Sequence, residues 1–204
     1  MTGPHVDPGA PADPAAPDLP LHLWRRLDWR FLLPSTRLRV VACGGTPDDD
    51  LLAALRLLQV DVVRPGPDWR PVADAAPDVV VLVQPTAADL AAAAAAVRPG
   101  GWVYAEVRRD LHAAGPRTLL GWPRAFRAAG LTDVVAHWHA PDLRTCSRMV
   151  PLDAPALVRD ALSRHGAVRF GRALSLAGRA AVALGVFPAG VPEGSTVGRR
   201  PEVP

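Results

Sequence analysis

Residues 77–104 read PDVVVLVQPTAADLAAAAAAVRPGGWVY, and this stretch decides the fold class. Asp78–Val83 is a β-branched run, apolar on both faces, as a parallel strand buried between two layers is. Thr86 stands where a cap is needed, ahead of an Ala-rich helix over Ala87–Val97. Pro99-Gly100-Gly101 then turns the chain into another strand, Trp102–Val107. Strand, helix and strand in this order make a βαβ unit, and hence a parallel sheet covered on both faces.

The pattern extends in both directions. Upstream, Leu38–Cys43 reads as a strand ending at Gly44-Gly45. Asp48-Asp49-Asp50 supplies caps for a helix over Leu51–Leu58, and Val60–Val63 reads as the next strand. Downstream come a helix over Trp122–Ala129 with Gly130 as its C′ residue, and strands over Thr132–Trp138 and Ser147–Leu152. Helices over Pro155–Arg164 and Leu174–Leu184 follow. The fold expected is α/β: a Rossmann-like, mostly parallel sheet with helices on both faces. It is shortened at one edge and carries a terminal antiparallel hairpin. Four parts are expected: a disordered Pro/Ala-rich tail over 1–20, the α/β domain over 21–152, a C-terminal helical extension over 153–188, and a flexible tail over 189–204. In such sheets ligands bind beyond the carboxyl ends of the strands, which points to residues 43–50, 64–68, 84–89 and 107–115.

Composition removes several alternatives. A chain of 204 residues suits one domain, and 49% hydrophobic with 21% charged residues argues against wholesale disorder. All 23 basic residues are Arg. Guanidinium groups do not lose protons in the accessible range, so the pI near 9.6 overstates a net charge of only +3. No nucleic-acid partner is expected. The absence of Lys excludes Schiff-base chemistry and a Walker-type phosphate loop. Two cysteines, Cys43 and Cys146, cannot make a disulfide framework or a four-cysteine zinc site. Met1–Pro20 has neither a basic n-region nor an apolar h-region, and no apolar stretch is long enough for a transmembrane segment. A cytoplasmic location is the expectation.

Two stretches resemble class I S-adenosylmethionine-dependent methyltransferases. Asp78–Val83 with its helix and Arg98-Pro99-Gly100-Gly101-Trp102 looks like that family's fourth strand, following helix and fifth strand. Phe126–Val134 (FRAAGLTDV) is similar to the lead into its sixth strand, and the strand through Arg148–Leu152 would complete its terminal hairpin. The resemblance covers roughly residues 35–152 and implies S-adenosylmethionine as cofactor. The family's first strand ends in an acid and a Gly-x-Gly-x-Gly turn, and an acid after its second strand holds the ribose. Here Val40–Asp48 keeps only two adjacent glycines with Pro47 behind them, and Arg64-Pro65-Gly66 follows the second strand. Only 14 residues separate Val63 from Asp78, where the family fits two helices and a strand.

The resemblance places cofactor contacts at Cys43, Gly44, Gly45 and Thr46, with Asp68 reaching back from its loop and Gln84 at the end of the central strand. Backbone N–H groups ahead of a helix also suit an anion, while a plain β–α turn needs no ligand at all. Thr86 reads as a cap. The candidates for proton transfer are Glu106, His137 and His139. For Glu106 a solvated strand end or an ion pair with Arg108 or Arg109 is the favoured reading. The alternation of a strand puts His137 and His139 on one face, and their spacing is not a metal signature, so no metal is expected. Trp24-Arg25-Arg26 and Trp29-Arg30-Phe31 read as a lead-in whose apolar side chains dock on the sheet while Arg stems cover the rim. Two functions stand side by side. One is a methyltransferase-like enzyme acting on a small-molecule substrate. The other is a non-catalytic module of that fold that engages a protein partner. A nicotinamide-dependent oxidoreductase is disfavoured, because the chain holds no GxGxxG.

Overall fold

The computed structural model describes residues 20–58, 60–63, 76–110, 116–165 and 171–202. Local chemistry starts its helices where the sequence places them. Asp48 caps α2 (Asp49–Leu57) by accepting the Leu51 amide at 2.8 Å. Thr86 and Asp89 close a reciprocal capping box at the start of α3 (Ala87–Ala96). Gly130, at φ +83°, ends the turn after α4 (Trp122–Ala128). Upstream lie α1 (Leu21–Arg25) and a 3₁₀ turn over Asp28–Leu32.

The strands are β1 (Val40–Gly45), β2 (Asp61–Val63), β3 (Val79–Val83), β4 (Trp102–Arg108), β5 (Thr132–Ala140), β6 (Arg148–Pro151) and β7 (Glu193–Arg199). They form one sheet in the order β2-β1-β3-β4-β7-β5-β6. The β2/β1, β1/β3 and β3/β4 pairs are parallel. The β4/β7, β7/β5 and β5/β6 pairs are antiparallel. The α/β Rossmann-like architecture is the expected one, with the sheet evenly mixed because β7 enters it. Among the described residues no strand lies beyond β2, and residues 64–75, where the shortening of this edge is expected, fall outside them.

Alternation along each strand divides the core. Val80, Leu82, Val103, Ala105 and Val107 face α3 and α4. Val41, Cys43, Val79, Val81 and Tyr104 face α2 and the N-terminal segment through Leu27, Trp29 and Leu33. The helices α5 (Pro155–His165), α6 (Gly171–Ala183) and α7 (Phe187–Gly190) build a smaller cluster around Val150, Val158, Ala161 and Leu162.

Two expectations need correction. Residues 189–204 are not all a tail: β7 is an inner strand, with Ser195 and Thr196 fully buried. Small residues make this place available. A Cβ on Gly194 would lie 2.3 Å from the His137 carbonyl oxygen, and one on Gly198 would lie 2.8 Å from the Phe126 ring. The hairpin of β5 with β6 forms as expected, but it is not terminal, since β7 follows it in the chain. The expectations for the front tail, Arg64 and Asp68 fall outside the described residues.

Candidate functional site

The carboxyl ends of β1, β3 and β4 are the place where such a sheet takes ligands. One row of the sheet crosses this edge: Gly45, Val83, Glu106, Ser195 and His137 stand in register on five successive strands. Glycine at position 45 has a specific cause. Its φ is +77°, and a Cβ there would lie 2.1 Å from the Val83 carbonyl oxygen. The next amide, Thr46 N, donates to the same oxygen at 2.8 Å. The glycine thus lets the β1–α2 turn fold onto β3, a close approach of backbone to backbone. Cys43 is buried in the core below, while Gly45 and Thr46 are exposed. Gln84 takes a left-handed φ of +50°, and its Oε1 accepts the Arg108 amide at 3.2 Å.

Over this row lies Arg26. It leaves the end of α1 and is only 6% exposed. Its Nη1 donates to both carboxylate oxygens of Glu106, at 2.8 and 2.9 Å. Its Nη2 donates to both oxygens of Asp48, at 3.3 Å each. Arg26 therefore bridges the β1–α2 turn and the end of β4, passing across the end of β3. Burial opposes its charge, but Glu106 and Asp48 outweigh that and hold its pKa above the ordinary value. Burial pushes the Glu106 carboxyl up, and the guanidinium beside it is what opposes the shift. Beneath Arg26, Trp29 stacks on Tyr104 with ring centroids 5.5 Å apart.

The remaining candidates lie farther along the row. His139 Nε2 and Ser195 Oγ are 2.8 Å apart, and Ser195 is also bonded to the Tyr104 hydroxyl. His137 is 7% exposed, and its Nδ1 has no hydrogen-bond partner among the described residues. Burial lowers the pKa of His137 to about 4, partly opposed by Asp153. It lowers that of His139 to about 3, with His137 and Arg26 adding to the effect. Both rings are neutral at pH 7. Among the described residues no group of three His, Cys, Asp or Glu could hold a metal ion, and no helix is long and apolar enough to cross a membrane.

Glu106, His137 and His139 thus share one face, as strand alternation implies, and Arg26 of the N-terminal segment covers Glu106. Sequence reasoning missed Arg26 as their partner. It placed the Arg stems of the lead-in on the rim, whereas Arg26 points inward. The two charges are 80 positions apart, and no local pattern links them. Ser195 was missed because it sits in a stretch that reads as a tail.

Asp68 and the loop after the second strand, where the resemblance puts part of the S-adenosylmethionine site, lie outside the described residues. Among the described residues, the glycine turn folds against Val83, and the carboxylates of Asp48 and Glu106 are held by Arg26. No protein-family model matches the chain, and no curated protein matches it. Solved structures do. A Thermotoga maritima S-adenosylmethionine-dependent methyltransferase, described as a possible histamine N-methyltransferase, is 11% identical with a TM-score of 0.45, over 88% of this chain and 89% of that one. Haemonchus contortus phosphoethanolamine N-methyltransferase 2, in complex with S-adenosylmethionine, is 10% identical with a TM-score of 0.45, and this chain spans 52% of its length while 89% of this chain is covered. A Thiobacillus denitrificans S-adenosylmethionine-dependent methyltransferase, in complex with S-adenosylhomocysteine, is 14% identical with a TM-score of 0.38, over 89% and 90% of the two chains. These scores lie below 0.5, so the fold stands on the sheet's own connectivity: the chain is a Rossmann-like α/β protein similar to these methyltransferases.

Proposed function

We propose that this chain is a non-catalytic binding or partner module built on a methyltransferase-like fold. The observation that supports this reading is the Arg26 bridge between Glu106 and Asp48, which fills the crevice where such a sheet takes its ligand. Melting with and without 1 mM S-adenosylhomocysteine tests it. A site with a Kd of about 10 μM would add about 2.7 kcal/mol, several degrees in a chain of this size. The expected result is no shift.

A second reading, a methyltransferase acting on a small molecule, draws on one observation. Glu106, Ser195 and His137 are neighbours in a single row. It requires the N-terminal segment to leave the edge. A shift caused by the ligand in the wild-type chain would favour it.

A further inference from the structure

At the opposite end of the sheet, the amino ends of β3 and β4 and the carboxyl end of the antiparallel β7 bring Val79, Trp102 and Arg199 into one row. The chain leaving the 3₁₀ turn, Leu33 to Leu38, passes over them. Between the two lies a cavity of about 340 Å³. Its lining includes the apolar residues Trp102 and Leu38 and, on the polar side, Ser35 and three arginines, Arg37, Arg98 and Arg199.

The charges here are unequal. Asp78 lies in the cavity wall but is fully engaged. Its Oδ2 accepts the amides of Arg39 and Val40, at 2.8 and 3.2 Å, and its Oδ1 accepts Arg98 Nε at 2.6 Å. These bonds hold its pKa below the ordinary carboxylate value, despite the opposing effect of burial. Glu202 pairs with Arg199. Arg37 has no acidic partner among the described residues. Counting Arg39 beside Asp78 and Glu202 beside Arg199, four arginines thus stand against two carboxylates in and beside the cavity among the described residues. Two of the forks are already oriented: Arg98 also donates to the Pro99 carbonyl at 3.3 Å, and Arg199 to the Gly100 carbonyl at 3.4 Å. Oriented guanidiniums bind oxyanions through paired N–H groups and lose little freedom in doing so. A volume near 340 Å³ with an apolar wall is the size of a small-molecule site.

We propose that this amino-end cavity binds a small oxyanion joined to a flat apolar body, a phosphomonoester or carboxylate on an aromatic ring. The oxyanion lies against Arg37, Arg98 and Arg199, and the ring lies along Trp102. This site is independent of the carboxyl edge, so it stands or falls apart from the function proposed above.

Phenyl phosphate and benzoate are the probes, followed by amide NMR on the full chain, with inorganic phosphate and benzyl alcohol as controls. The expected result is saturable binding of at least one aromatic anion, with shifts at Trp102 and Gly100. Binding should weaken at least tenfold in Arg37→Ala, an exposed position outside the core. The same probe should weaken as salt rises. Saturation by inorganic phosphate alone would overturn the aromatic part of the proposal. No shift at 10 mM of either aromatic anion, or binding unchanged in Arg37→Ala, would overturn the site itself.

Discussion

At the scale of single residues, Arg26 carries the greatest consequence. A buried ion pair is weak evidence for net stability, but removing one partner strands the other charge in the interior. Arg26→Met should therefore cost about 3–5 kcal/mol in urea unfolding. Arg26→Met with Glu106→Gln should recover a large part of that loss, because the stranded carboxylate is then gone. Loss of the same size in the double variant would mean that the guanidinium stem, not its charge, holds the segment down. The two histidines give a dependence on pH. Their folded pKa values, about 4 and about 3, lie below the ordinary 6.5. The folded state thus binds fewer protons than the unfolded one. Their contribution is complete above pH 6.5 and is lost as pH falls through about 4 for His137 and about 3 for His139. By pH 5 each should have lost about 2 kcal/mol. Glu106, whose pKa is raised, acts in the opposite direction. Urea midpoints at pH 7 and pH 5 check the sum, and His139→Gln, which keeps a partner for Ser195, should flatten the dependence.

At the scale of elements, the β1–α2 turn is held by a backbone contact that only glycine permits. Gly45→Ala places a Cβ 2.1 Å from the Val83 oxygen in a left-handed conformation. It should destabilise the chain by more than about 1 kcal/mol in equilibrium unfolding. The same glycine illustrates what the sequence makes legible. The two adjacent glycines mark a tight turn, and Asp48 and Thr86 mark helix starts, because caps and turns are decided within a few residues. Whether a turn opens toward a ligand or closes onto the next strand depends on a neighbour 38 positions away, Val83. The Arg26 bridge was hidden for the same reason. The strand β7, EGSTVGR, was hidden differently. Its glycines and serine have low strand propensity, and its extended form comes from partners on both sides, for which small residues are an advantage.

At the scale of the whole molecule, β7 joins the parallel half of the sheet to the β5/β6 hairpin. Ending the chain at Gly190 should therefore do more than trim a terminus. It would leave β4 and β5 without the strand that pairs them, and expose Tyr104 and His139 where Ser195 now contacts them. The truncated chain should lose its cooperative unfolding transition and aggregate. A sharp transition at an unchanged urea midpoint would contradict this role. The N-terminal segment packs on the sheet face that holds Val41, Val81 and Tyr104, and its Arg26 bridges Asp48 and Glu106 at the carboxyl edge, a bridge that the proposed function takes as closing that edge to a ligand. Calorimetric titration of the full chain with S-adenosylmethionine tests that closure most directly. The account expects no binding heat at millimolar ligand; a Kd tighter than about 100 μM, roughly 5.5 kcal/mol, would contradict it.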